Sequence, residues 1–170
     1  MEIPKRLWIG MVVLGAFARL IPHPWNFTPM MAIGLFAGSQ ARKVSTGVLT
    51  TLCALVLSDA VLGFYSGFWY VYAAALIPVL LGTLIRNRTS AGAIAGAGLA
   101  SSVSFFLITT FMYWTTEGFY PHTSAGLSAC FLAGIPFYRN QVLGDVVYTV
   151  AIFGGYAVLN RLCQPAEQVA

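Results

Sequence analysis

"FTPMMAIGLFAGSQA", residues 27–41, is an apolar run too short to cross a bilayer comfortably, and whether it crosses fixes the sidedness of everything after it. As a helix its fifteen residues reach ~22 Å, at ~1.5 Å each, of a ~30 Å hydrocarbon core. It reads either as a short crossing or as a re-entrant hairpin. Apolar runs and their breakers define five further candidate helices, giving spans at 7–21, 27–41, 45–64, 68–86, 90–113 and 141–160. Pro22 and Pro24 close the first, and "SGF" at 66–68 separates the third from the fourth.

Basic residues gather on the cytoplasmic side of membrane proteins. With six crossings and the N-terminus inside, Lys5, Arg6, Arg42, Lys43, Arg86, Arg88 and Arg161 are cytoplasmic, and only Arg19 and Arg139 are outside. If 27–41 does not cross, only Lys5, Arg6 and Arg139 remain inside. The sequence therefore predicts an all-α polytopic integral membrane protein, one membrane domain over residues 1–170. It has six transmembrane helices and cytoplasmic N- and C-termini.

Composition agrees with a lipid environment. Charged residues are 8% of the chain and mean hydropathy is +0.78, whereas a soluble domain carries about 25% charged residues. The net charge of +4 comes from basic residues scattered at the ends of apolar runs, without a basic stripe, so the expected partner is the lipid bilayer and not nucleic acid. Cys53, Cys130 and Cys163 are widely spaced, which suggests neither a disulfide framework nor a zinc site. "PKRLWIGMVVLGAFA" has the form of a signal peptide, but the six-span topology uses it as a helix, and we expect it to be retained.

The outer connection between helices five and six, from Trp114 to Asn140, is long. Within it "TSAGLSACFLAGI" is too short to span and reads as a short re-entrant or interfacial helix, capped by Thr123 and ended by Gly134 with Pro136. "AGAIAGAGLASS" opens the fifth span with small residues four apart, and we expect it to pack inside the protein.

On this topology the costly polar groups collect at the outer end: Arg19, His23 and Asn26, then Asp59, Glu117, His122, Arg139, Asn140 and Asp145. A charge in lipid costs at least ~2.5–3.5 kcal/mol, so these groups should face inward and pair, Arg19 and Arg139 against Asp59 and Asp145. Trp25, Trp69, Trp114 and Tyr120 lie at the same end, while the inner ends hold little beyond Trp8. A two-sided aromatic belt would be symmetric. The asymmetry suggests an outer cavity for a ring-bearing molecule.

No reaction suggests itself. The chain has no GxxxxGK[ST], no HExxH and no GxSxG, and "VLGD" lacks the first glycine of the GxGD motif of membrane aspartyl proteases. We expect no enzyme, no cofactor and no resident metal.

Six short helices and an outer polar-aromatic site resemble the substrate-binding S-components of energy-coupling factor (ECF) transporters. More specifically, the chain is similar to an uncharacterised bacterial, S-component-like membrane family. The stretches that carry the likeness are "RLIPHPWNFTPMMAIGLFAGS", "LSDAVLGFY", "SSVSFFLITTF", "YPHTSAGLSACFLAGIPFYRNQVLGD" and "FG" at 153–154. The resemblance implies site positions at Arg19, His23, Asn26, Ser58, Asp59, Tyr120, Thr123, Arg139, Asn140 and Asp145. An asparagine common in that family after a threonine is missing at Thr109-Thr110. It also implies a multi-pass protein of the bacterial inner (plasma) membrane that captures a vitamin-like solute, with a transmembrane coupling subunit and ATPase subunits as partners.

The expected function is thus the substrate-binding component of a small-molecule uptake system. Arg19 and Arg139 would hold acidic or carbonyl groups. Asp59 and Asp145 would orient those arginines or meet a cation. Trp25, Trp69, Trp114 and Tyr120 would stack on the ligand. His23, Asn26, His122, Thr123 and Asn140 complete the candidate site. The alternative is an accessory subunit in which the ion pairs only lock helices.

Overall fold

The computed structural model describes residues 3–86 and 89–162, so Arg88 and Cys163 lie outside the described residues. The described chain is all-helical: α1 (Lys5–Leu20), α2 (Met30–Gln40), α3 (Val44–Leu62), α4 (Phe68–Ala74), α5 (Ile77–Leu84), α6 (Ala91–Thr116) and α7 (Ser124–Leu162). It is a polytopic membrane protein with several apolar spanning helices.

The expected count of six crossings is overturned. Among the described residues, three helices are long and apolar enough to cross a membrane: α3, α6 and α7. The count that put both termini in the cytoplasm no longer holds. The decisive stretch is the clearest case. α2 has 11 residues, ~16 Å of helix, and every residue from Met30 to Ser39 is buried. A helix that is apolar all round is either enclosed by protein or a membrane span, and this one, too short for a span, is enclosed. Its neighbours surround it. Phe36 meets the rings of Trp8 on α1 and of Phe153 and Tyr156 on α7. Gly15 of α1 lies against Ile33, and Gly47 of α3 against the Ala37–Gly38 backbone.

The tightest contact is α2 on α5. Gly38 and Gly82 lie so close to the opposing backbones that a Cβ on Gly38 would come within 2.8 Å of the Val79 carbonyl carbon, and one on Gly82 within 2.8 Å of the Ser39 nitrogen. Lipid tails are as apolar as leucine, so apolar burial alone gives such helices little reason to associate. Close van der Waals approach and polar links do. A polar link is present at the far end of α2, where Arg86 donates to the carbonyls of Gly38 (3.0 Å) and Arg42 (3.3 Å). It satisfies a carbonyl that the end of a helix leaves open.

Three further expectations are corrected. The run 68–86 is two helices, broken at Ala75–Leu76, because Pro78 has no N–H to bond back to Ala74. The short helix at 123–135 is not separate. It is the first part of α7, whose 39 residues run through Pro136 without ending. Packing on α6 holds that region helical: Phe106 stacks on Tyr138 at 4.6 Å and meets Phe131 edge-on, while Gly134 lets α7 approach the Phe106 ring. Finally, the small residues opening α6 do not pack inside. Gly92 and Gly96 face open space.

Candidate ligand cavity

The end of the bundle opposite Arg86 holds a cavity of about 970 Å³. Met30 and Met31, the first turn of α2, border its inner part, together with Leu55, Gln141 and Asp145. Tyr70, Phe105, Phe106, Thr109, Tyr113 and Phe137 form walls, and Trp25, Ser66, Glu117 and Tyr120 lie towards the surface.

Arg19 reaches this cavity from the last turn of α1, and Asp59 stands behind it on α3. The guanidinium meets Asp59 Oδ1 at 2.7 Å, donates to Ser58 Oγ at 2.7 Å and touches the Leu55 carbonyl at 3.4 Å. The Tyr72 hydroxyl donates to the other Asp59 oxygen at 2.7 Å. Asp59 is 1% exposed and Arg19 side-chain exposure is 14%. The cluster ties α1, α3 and α4 together with its charges answered internally. Tyr65, in the loop after α3, keeps 42% of its surface exposed. Desolvation, then the Asp59 charge, push its hydroxyl up to about 12, partly opposed by Arg19. It therefore stays neutral at physiological pH and can both donate and accept.

At the inner part, Asp145 of α7 is 6% exposed. Its Oδ2 accepts from Ser102 Oγ of α6, and Gln141, one turn earlier, donates to the Ser102 carbonyl at 3.0 Å. Asp145 Oδ1 has no hydrogen-bond partner among the described residues.

Of the expected site residues, the structure brings Arg19, His23, Trp25, Asn26, Tyr120 and Asp145 to the cavity. Asn26 also has a local task. Its φ of 63° is left-handed, a conformation asparagine tolerates, in the turn where Phe27 N–H donates to the Pro24 carbonyl. His23 Nδ1 lies 2.8 Å from that same carbonyl.

The other expected residues are elsewhere. Asp59 acts through Arg19. Trp69 packs on Tyr70 and is half exposed. Trp114 donates its indole N–H to the Pro121 carbonyl, and the His122 ring packs on it, so both shape the turn before α7. Thr123 caps α7, accepting from Gly126 N–H at 3.1 Å. Thr123→Ala is expected to lower stability by about 1 kcal/mol and Thr123→Ser to have little effect, measured by thermal melting in detergent.

Arg139 and Asn140 do not line the cavity, and the expected Arg139–Asp145 pair does not form. Helical phase explains it. Gly134, Phe137, Gln141 and Asp145 recur every three or four residues and share one face of α7. Arg139, two residues from both Phe137 and Gln141, points away and is exposed. The same stripe was the signal that could have found Gln141 and Phe137. Ser66 and Glu117, whose hydroxyl and carboxylate meet at 2.7–2.8 Å, carried no pattern that would have joined them.

Two other chemistries find no support in the geometry. The two aspartates have separate partners, Arg19 with Tyr72 for one and Ser102 for the other. Among the described residues no three of His, Cys, Asp and Glu come together as a metal site. A second groove, about 350 Å³, is lined by Leu107, Ile108, Phe111, Met112 and Phe131. It presents only apolar groups, as a lipid-facing surface does.

Over residues 3–167 the chain matches the model of a family of unknown function (DUF6580). No curated protein and no solved structure matches it.

Proposed function

We propose, for a chain that belongs to the DUF6580 family and takes no assigned activity from it, that the protein is the substrate-binding membrane component of a small-molecule uptake system. The observation that carries this reading is the cavity of about 970 Å³, walled by aromatic rings, its lining surface mainly apolar with polar groups set among it. Small-molecule sites have that size, ~300–1,000 Å³, and that balance of lining. The aromatic walls suit a vitamin-like, ring-bearing solute.

Capture at the outer face is supported by charge. Arg42 and Arg86 are in contact at the end remote from Arg19 and Asp59, with Lys43 next to Arg42 in the chain, and basic residues favour the cytoplasmic side. The corresponding location is the bacterial inner (plasma) membrane. The chain has no P-loop, so ATP-driven uptake needs other chains. A transmembrane coupling subunit and ATPase subunits are the partners that the resemblance to S-components implies.

One observation favours the accessory reading for part of the site. The Arg19–Asp59 cluster is satisfied within the chain, as a pure helix lock would be. Mass spectrometry of protein purified in mild detergent separates the two. Ligand capture predicts a retained small molecule, lost at least tenfold in Ala133→Trp, which fills the cavity without removing a hydrogen bond. A folded protein that retains nothing, and whose melting temperature no metabolite raises, is the accessory result.

A further inference from the structure

We propose that Asp145 is the ligand-recognition group of the inner cavity, and that its free oxygen receives an N–H donor from the solute: a primary or secondary amine, or an amino-substituted ring. This rests on the ligand-capture reading and adds the chemical class of what is captured.

Asp145 is more than nine-tenths buried, lines the cavity, and divides its two oxygens unequally. Oδ2 is held by Ser102, while Oδ1 is buried and accepts nothing from the described residues. Buried acceptors in folded proteins nearly always have a donor, because leaving one unmade forfeits its solvation. The nearby donors are mostly committed. Gln141 gives one of its two amide hydrogens to the Ser102 carbonyl, and the other, on the Asp145 side, makes no hydrogen bond to Oδ1. Arg19 is engaged by Asp59, Ser58 and the Leu55 carbonyl. Arg139 lies on the opposite face of α7.

The charge balance points the same way. Arg19 lines the cavity with its charge answered by Asp59, and the remaining acidic groups on the lining are Glu117 and Asp145. A carboxylate or phosphate brought to the inner cavity would meet Asp145 with no free cation beside it. An ammonium or amino group meets an acceptor, and the rings of Phe105, Phe106 and Phe137 add the attraction of aromatic faces for a cation.

The test uses matched probes: 2-phenylethylamine against 2-phenylethyl methyl ether, and 2-aminopyrimidine against 2-methoxypyrimidine. Binding is measured by titration calorimetry on the full chain in non-ionic detergent. The amino member of a pair is expected to bind at least tenfold more tightly. Asp145→Leu should erase the difference while keeping ether binding, since the Ser102 hydroxyl can turn to the Gly98 carbonyl, 3.2 Å away. If Asp145→Leu does not fold, Asp145→Glu serves. It carries the carboxylate one carbon further and should favour benzylamine over 2-phenylethylamine. Equal affinities within the pairs, no measurable binding of the amino compounds, or an unchanged amine order in Asp145→Glu overturns the assignment. If another solute is still retained in a manner lost in Ala133→Trp, ligand capture survives and only the role of Asp145 falls.

Discussion

Gly38→Ala is expected to leave little folded protein. An alanine Cβ at this position would penetrate the Val79 carbonyl oxygen and come within 2.8 Å of the carbonyl carbon and 3.0 Å of the Cα. These are backbone atoms of α5, so no side-chain rotation relieves the clash. α2 and α5 must separate, along the contact that holds α2 most closely. Overpacking an interior by one methyl costs ~1–3 kcal/mol, occasionally more, and a backbone clash belongs at or above the top of that range. The carbonyl of Gly38 also takes the Arg86 hydrogen bond, which separation would stretch. Gly96→Ala on α6 is the control. Nothing lies within 4 Å of its added Cβ, and alanine is the better helix former by ~1 kcal/mol, so that variant should melt at or above the wild-type temperature. Equal melting of the two variants would mean that α2 and α5 are not in this contact.

Arg19→Met should be the other severe change. It leaves Asp59, 1% exposed, with Tyr72 and no cation. Removing one member of a buried pair costs ~3–5 kcal/mol, chiefly through the charge left behind. Replacing both members with apolar groups of similar size is often close to neutral. Arg19→Met with Asp59→Leu should therefore recover most of the loss, to within about 2 kcal/mol of wild type. Melting in detergent with ligand-retention mass spectrometry reads both consequences. A double variant that folds yet retains no solute gives Arg19 a role beyond locking α1 to α3. One that folds and retains the solute makes the pair a lock and nothing more.

These two sites were not equally visible in the sequence. Arg19 and Asp59 could be paired from one argument, that charges near lipid must be matched, and they do pair. The spacing of Gly34 and Gly38 lies in the very stretch that decides the fold, but the run of small residues in α6 is richer and gives the stronger signal. Spacing alone cannot say which small residues meet a neighbour. The helical, membrane character followed from composition. The number of crossings did not, because charge counting allows an apolar run only to cross or to turn back. α2, at 11 residues, falls short of a spanning helix and is enclosed by other helices.

Arg139 was misread for a related reason. With 136–140 read as loop, residues 134, 137, 141 and 145 share no helical phase, and only the balance of two arginines against two aspartates places Arg139. Once α7 is continuous through Pro136, the phase assigns Phe137, Gln141 and Asp145 to the cavity and turns Arg139 outward.

The enclosure of α2 also bears on the order in which the chain can come together as it leaves the ribosome. Of the elements wrapped around residues 30–40, only α1 has been synthesised before them; α3, α5, α6 and α7 all emerge later. Eleven residues cannot anchor themselves across a bilayer, so the segment has no finished seat when it is made. Its enclosure can be complete only once α5 and α7 have been made.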